Sequence, residues 1–205
     1  LMLYQLSYRR AEQQDNYHRG AVKRSAVPIV VAVLAVALMG LLVYGVVARQ
    51  DDTSLDSAVR QGSRPQAPGA DVALPALDGD GETKLADLRG RIVVLNFWAS
   101  WCGPCEAEAP ALQRTQRALQ RDGAGTVLGV TYKDYADDSR RFVRKFGLTY
   151  PSLRDDRLRL APEFGTTKLP ETFVLDRQGR VVAISRGEVS RRFLDDAVRR
   201  AREQV

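Results

Sequence analysis

The sequence predicts an α/β domain, a central mixed sheet flanked by helices, carried behind one transmembrane helix. Three observations predict it. From about residue 71 onward, apolar strand-like runs alternate with amphipathic helical stretches. The two cysteines of the chain, Cys102 and Cys105, stand directly after one such run and directly before a helical stretch. Val27 to Val47 is an almost continuous apolar run without a charge. Strands interleaved with helices bury their apolar faces as a sheet with helices packed on it.

The N-terminal elements come first. Residues 1–26 are polar and mixed, with Arg9, Arg10, Arg19, Lys23 and Arg24 against Glu12 and Asp15. They are expected to form a cytoplasmic tail. The apolar run 27–47 would make a helix of roughly 31 Å, matching a hydrocarbon core of ~30 Å. Pro28 falls in its first turn, where no intrahelical N–H donor is lost. Arg19, Lys23 and Arg24 precede the run, and Asp51 and Asp52 follow it. The basic flank stays inside, so the remainder of the chain faces outward from a single-pass anchor in the cell membrane. The run is longer than a signal-peptide core, and Val46-Val47-Ala48 is a poor cleavage site, so the anchor is expected to stay uncleaved. Residues 48–70 are rich in Gln, Gly, Pro, Ser and Asp. They read as a flexible linker with a reach of roughly 25 Å.

Residues 71–205 form the expected folded domain. Val72–Leu77 and Glu82–Leu85 flank Asp78-Gly-Asp-Gly81 and predict a hairpin. Leu85–Gly90 reads as a helical turn, 91–97 as a buried strand, and the stretch from 102 to Arg121 as a helix. A strand at Thr126–Thr131 and a helix at Asp137–Phe146 follow, with a short helical piece near Leu158–Phe164. Glu171–Asp176 and Arg180–Ser185 flank the turn Arg177-Gln-Gly179 and predict an antiparallel strand pair. A helix at Arg191–Arg202 closes the pattern.

Composition narrows the function. The chain has 205 residues, 44% hydrophobic and 27% charged, which suits a globular core. The net charge of +6 is no nucleic-acid footprint, because part of it lies in the tail and Arg140, Arg141, Arg144 and Lys145 are mixed with acids along a solvated helix face. The single histidine, His18, precedes the apolar run, so the domain has none and histidine-dependent hydrolysis is excluded from it.

The chemistry lies in Trp101-Cys102-Gly103-Pro104-Cys105. At a helix N-terminus, unpaired backbone N–H groups and the helix dipole stabilise a thiolate. Cys102 is therefore the expected nucleophile, and Cys105, one turn into the helix and more buried, the resolving thiol. Pro104 sets φ at an early helical position. A purely structural disulfide closing so small a loop gains only about 2 kcal/mol. A zinc half-site would need a second ligand pair, and none is present, so no metal is expected. The Cys102–Cys105 couple itself is the redox centre, with no separate cofactor.

Val94-Leu-Asn-Phe-Trp-Ala-Ser-Trp-Cys-Gly-Pro-Cys105, Pro110, and Leu169-Pro170-Glu171-Thr172-Phe173 resemble the thioredoxin superfamily. The likeness is strongest to its membrane-tethered extracytoplasmic branch of TlpA, ResA and DsbE type. The resemblance covers about 71–205 and implies the thioredoxin fold with an N-terminal hairpin extension. It implies a cis-proline loop at Pro170, facing the dithiol, that pairs with a substrate strand. It also implies a substrate surface built from Trp101, Gly103, Pro104, Leu169, Glu171, Thr172 and Glu188. Asn96 stands where thioredoxins carry a buried aspartate. Glu108 stands where they carry an apolar residue, and a carboxylate there can take a proton from Cys105 and oppose thiolate formation. A solvent-facing glutamate is the alternative. Tyr132-Lys-Asp134 and Gly187-Glu188 bring the chain closer to the DsbE type, whose acidic surroundings map onto Glu108, Glu171 and Glu188.

The resemblance implies a reducing thiol–disulfide oxidoreductase serving cytochrome c maturation. Its partners would be apocytochrome c or a thiol partner, and a membrane electron donor of CcdA or DsbD type. The alternatives are a copper-handling dithiol protein, for which Cu(I) suits soft thiolates but a histidine ligand is missing, and a general disulfide oxidant or isomerase.

Overall fold

A computed structural model describes residues 27–47 and 54–203, with side chains described for 28–41 and 54–203. The chain divides into two units, Leu1–Gln50 and Asp51–Val205. In the first, helix α1 spans Val27–Val47, 21 residues. Ile29, Val31, Leu34 and Leu41 are exposed on it. Among the described residues no helix is long and apolar enough to cross a membrane. The expected cytoplasmic tail lies outside the described residues.

The second unit is built on a five-stranded mixed sheet of order β5-β4-β3-β6-β7. The strands are β3 Ile92–Trp98, β4 Gly125–Tyr132, β5 Ser152–Asp155, β6 Glu171–Leu175 and β7 Val181–Arg186. β4 runs parallel to β3 and β5, whereas β6 runs antiparallel to β3 and β7. A short hairpin, β1 Leu74–Pro75 with β2 Glu82–Thr83, precedes the sheet. Every residue of central β3 is buried, because both faces of the sheet are covered.

Alternation along β3 separates two cores. Val94 and Trp98 point into one with Leu112, Phe142, Leu194 and Ala197. Val93, Leu95 and Phe97 point into the other with Leu128, Leu153, Phe164 and Phe173. Helix α3, Gly103–Arg121, lays Cys105, Glu108, Ala109, Leu112, Gln116 and Leu119 on the first core at helical spacing. Helix α4, Ala136–Phe146, ends at Gly147 with φ 57°, a left-handed cap that favours glycine. Helix α5, Arg191–Arg202, is capped by Ser190, whose hydroxyl accepts from Phe193 N–H at 3.2 Å. On α4 the cations Arg140 and Arg141 pair with Asp137 and Asp138, and Lys145 pairs with Glu106 of α3, consistent with a solvated face.

Two expectations are corrected. The expected linker 48–70 is mostly part of the folded unit. Helix α2, Ser54–Arg60, rests Leu55 and Val59 against the second core. Its Asp56 pairs with Arg186 at 2.6 Å. Val181 N–H donates to Pro65 carbonyl at 2.7 Å, and Ala67 N–H to Gly179 carbonyl at 2.9 Å. The segment is too polar to declare itself, because its order comes from an ion pair and backbone bonds to residues more than a hundred positions away. The folded unit therefore reaches back to residue 54, and residues 48–53 lie outside the described residues.

The second correction is β5, which was not expected as a strand. Pro151-Ser-Leu-Arg-Asp-Asp156 lacks β-branched and aromatic residues. It is recruited by the open edge of β4, where Gly129 lies opposite Ser152. A Cβ at Gly129 would lie 2.5 Å from Ser152 Oγ and 2.6 Å from Trp98 Nε1. Gly129→Ala is expected to cost about 1–3 kcal/mol through overpacking. Urea unfolding measures it, and an unchanged midpoint would show that β5 is free to shift.

Candidate active site: a dithiol at the head of a buried helix

Central β3 brings the chain to its carboxyl end, and Ala99-Ser-Trp101 turns it into α3. Cys102 occupies the N-cap of α3, in extended conformation, with Pro104 in the first turn. Cys102 and Cys105 form a disulfide of 2.06 Å, their Cα atoms 5.3 Å apart. Cys105 N–H donates to Cys102 Sγ at 3.3 Å. That N–H is one of the orphan donors of the first helical turn, and the N-cap sulfur takes the place of a capping oxygen. The same donor, with the helix dipole, favours negative charge on Cys102 when the pair is reduced. Cys102 is 5% exposed and Cys105 2%, so Cys105 is the more covered of two buried sulfurs.

The surroundings divide by strand alternation. Gly103, Pro104 and Trp101 are exposed beside the sulfurs. The Leu169–Pro170 peptide is cis. Pro170 is buried, and half-buried Leu169 touches both cores. Pro110 lies within α3, which continues through it.

Glu108 is buried, at 1% exposure, so the solvent-facing alternative does not hold. It follows Cys105 by three residues on the same helix face. Its Oε1 accepts from Asn96 Nδ2 at 2.8 Å, and its Oε2 from Val189 N–H at 2.9 Å. Asn96 Nδ2 also donates to Thr172 Oγ1 at 3.0 Å. Burial raises the Glu108 carboxyl from 4.5 to about 7, against the two hydrogen bonds, and the nearby charge of Glu188 adds to the rise. Tyr150, buried in the same core, is pushed upward by burial and then by the charge of Glu108.

Two expected site residues lie elsewhere. Thr172 was expected to meet substrate but has no exposure, and its hydroxyl belongs to the Asn96 network. Glu171 points to the opposite sheet face, because successive residues of β6 alternate. There its Oε2 accepts from Arg186 Nη1 at 2.5 Å, and Arg186 also pairs with Asp56. Burial holds the Glu171 carboxyl above its ordinary value, with Arg186 opposing. Glu171 therefore braces α2 against the sheet and does not join Glu108. Glu188 is exposed, next to the Val189 N–H that Glu108 accepts.

Tyr150 was not singled out from the sequence, since one tyrosine among 7 carries no signal without its neighbours. Asp134 had only a short motif to mark it. Its carboxylate accepts from Ser100 N–H at 2.7 Å and Ser100 hydroxyl at 2.8 Å, directly before the dithiol. Among the described residues no group of three or more His, Cys, Asp or Glu side chains is placed to hold a metal ion.

The arrangement suits reversible exchange between one disulfide and two thiols. A thiol-disulfide oxidoreductase ResA from Geobacillus thermodenitrificans is 32% identical over 82% of this chain and 91% of its own length. The thiol:disulfide interchange protein HelX from Rhodobacter capsulatus is 34% identical over 54% of this chain and 61% of its own. A secreted thiol-disulfide isomerase from Corynebacterium glutamicum superposes with a TM-score of 0.59 at 34% identity, over 69% of this chain and 86% of that one. A DsbF homologue from Corynebacterium diphtheriae superposes with a TM-score of 0.60 at 34% identity, over 68% and 88%. Residues 65–184 match the AhpC/TSA family. The chain belongs to that AhpC/TSA family, as a thioredoxin-fold member related to the ResA and HelX proteins.

Proposed function

We propose that this protein is a membrane-anchored reductant of protein disulfides on the outer face of the cell membrane. It is a thiol–disulfide oxidoreductase, and the observation that carries the direction of its chemistry is Glu108, buried one helical turn after Cys105, whose charge opposes thiolate formation and so favours the disulfide over the reduced pair. In the reduced protein the Cys102 thiolate attacks one sulfur of a substrate disulfide. The substrate S–S bond breaks, a Cys102–substrate disulfide forms, and the other substrate sulfur leaves as a thiolate. The thiolate of Cys105 then attacks Cys102 Sγ, releases the second substrate sulfur and closes the Cys102–Cys105 disulfide. Two electrons pass to the substrate. Glu108, with its carboxyl near 7, is the group we assign to accept the Cys105 proton.

The anchor reading rests on the sequence alone, on the uncharged apolar run Val27–Val47 and the basic flank before it. A reductant outside the cytoplasm needs electrons from across the membrane, which fits a donor of CcdA or DsbD type. Apocytochrome c, whose cysteines must be thiols before haem attaches, is the substrate we assign. The likeness to the ResA and HelX proteins and the DsbE-type acidic residues Glu108 and Glu188 support it.

A second reading, a disulfide isomerase or oxidant, is favoured by the similarity to the secreted isomerase. The reduction potential separates the two. Equilibration of the full chain in detergent against glutathione and dithiothreitol buffers is expected to give a value near or below about −270 mV. A value near about −120 mV would make the protein an oxidant and end the reductant reading.

A further inference from the structure

Several cations of α3 and α5 stand where helix electrostatics does not call for them. Arg191 and Arg192 open α5, whose first turn carries no acid, although the positive end of the helix dipole disfavours a cation there. Arg114 and Arg117 lie well inside α3, and from Ala109 to Arg121 that helix carries no acidic residue. Arg114, Arg117, Arg121, Arg192 and Arg200 are all exposed. Among the described residues none of these five makes an ion pair or a side-chain hydrogen bond. A solvated helix face looks different: on α4 the cations Arg140 and Arg141 alternate with acids and pair with them.

These arginines form one surface. A cleft of about 640 Å³ lies between the two helices, lined by Arg114, Arg117 and Arg121 of α3 and by Arg191, Arg199 and Arg202 of α5. Asp195 is the acid in its lining, and Leu119 and Val198 add apolar area. Through Arg200 and Phe193, α5 also borders a second cleft of about 400 Å³, which Arg60 of α2 lines from the other side. The basic surface thus runs around α5 from α3 to α2. Its cations are arginines, whose planar fork grips phosphate oxygens in pairs.

Two features name the occupant. The first is connectivity. Residues 48–53 alone separate the apolar run Val27–Val47 from α2, and so short a segment reaches at most roughly 20 Å. Under the anchored reading, the α2 end of the surface is held within that reach of the lipid headgroups. The second is the place of the dithiol. At ~1.5 Å per residue, Arg114 to Arg121 lie roughly 18–28 Å along α3 beyond Cys102. A membrane held at these arginines leaves the sulfurs uncovered.

We propose that the arginine surface of α3, α5 and α2 docks the domain on the anionic phospholipid headgroups of the membrane, with the dithiol turned away from the lipid and open to protein substrates. This rests on the membrane-anchored reading and deepens it by fixing the orientation of the domain. Basic side chains beside an anionic bilayer are attracted within a Debye length, so the contact is salt-sensitive and reversible.

The test places the full chain in vesicles of phosphatidylcholine, alone or mixed with phosphatidylglycerol. Arginine modification by phenylglyoxal is read residue by residue with mass spectrometry. Phosphatidylglycerol is expected to slow modification of Arg114, Arg117, Arg192 and Arg200 about tenfold, and high salt to remove that protection. Exposed Arg157 and Arg177, outside the surface, should react equally in both lipids. The combined variant Arg114→Gln, Arg117→Gln and Arg121→Gln should lose the protection of Arg192 and Arg200. It should reduce bis(2-hydroxyethyl) disulfide at the parent rate. Equal modification in both lipids overturns the proposal, and so does protection that persists in the variant. Equal protection by inorganic phosphate added to phosphatidylcholine vesicles also overturns it, since the surface would then hold a soluble anion. Carbonate extraction tests the anchor separately. A chain that washes off yet shows the phosphatidylglycerol-dependent protection keeps the surface and loses the anchor. A chain that stays in the bilayer without protection keeps the anchor and loses the surface.

Discussion

Cys102→Ser is expected to fold normally and to lose turnover by at least about a thousandfold, to the background of uncatalysed exchange. The reason is chemical rather than structural. A serine hydroxyl at the N-cap still accepts from Cys105 N–H, so the head of α3 keeps its cap. It has no ionised form near neutral pH and no sulfur with which to enter a disulfide. Cys105→Ser should behave differently. Cys102 would still attack, but nothing would resolve the product, and the protein should accumulate as a mixed disulfide with its partner. Mass spectrometry of the trapped species would name that partner, and recovery of an apocytochrome c peptide would support the assigned substrate. Turnover persisting in Cys102→Ser, with trapping through Cys105, would reverse the roles assigned to the two sulfurs.

The second large effect concerns Glu108 and pH. In the folded oxidised protein its carboxyl lies at about 7, against an ordinary value of 4.5. The folded state therefore holds this proton more tightly than the unfolded chain does. The associated stability is fully present below about pH 4.5 and is lost as pH rises through about 7, amounting to about 3 kcal/mol in all. Glu108→Gln carries no charge at any pH, so this slope should vanish. The variant has its own cost. Glutamine offers one acceptor oxygen to the two donors Asn96 Nδ2 and Val189 N–H, leaving one opposed at about 1–3 kcal/mol. The variant should therefore be less stable in acid and should close the gap toward pH 8. Urea midpoints from pH 4 to 8 measure both curves, and parallel curves would remove Glu108 as the titrating group. In the reduced protein the same substitution removes a negative charge from the helix face of Cys105, and thiolate formation should move to lower pH.

The dithiol and its position at a strand-to-helix junction were legible because they depend on neighbours in sequence. An N-cap sulfur, a proline in the first turn and an apolar run ending three residues before the cap are all local features. The antiparallel final strand pair was legible for the same reason, since Arg177-Gln-Gly179 turns directly between its strands. Asn96 and Glu108 stood out as unusual residue types, but their joining by a hydrogen bond did not. That bond needs β3 and α3 to pack, and the third member, Thr172, arrives from β6, 76 positions from Asn96.

Side-chain direction also escaped sequence reading where the strand boundary was unknown. Glu171 and Thr172 are adjacent and were grouped in one substrate surface, yet a period of two sends them to opposite faces. One joins Arg186 and Asp56, and the other joins Asn96.

The reactive pair and the alternating elements that place it could be read along the chain, because each rests on contacts within one or two turns. Tertiary structure alone decided that residues 54–70 belong to the folded unit, that Ser152–Asp155 is a strand, and that Glu108 is buried with a raised carboxyl. It alone decided that Asp134 reaches Ser100. Each of these is a pairing between distant segments, whose energy exists only once the sheet and helices have brought the partners together.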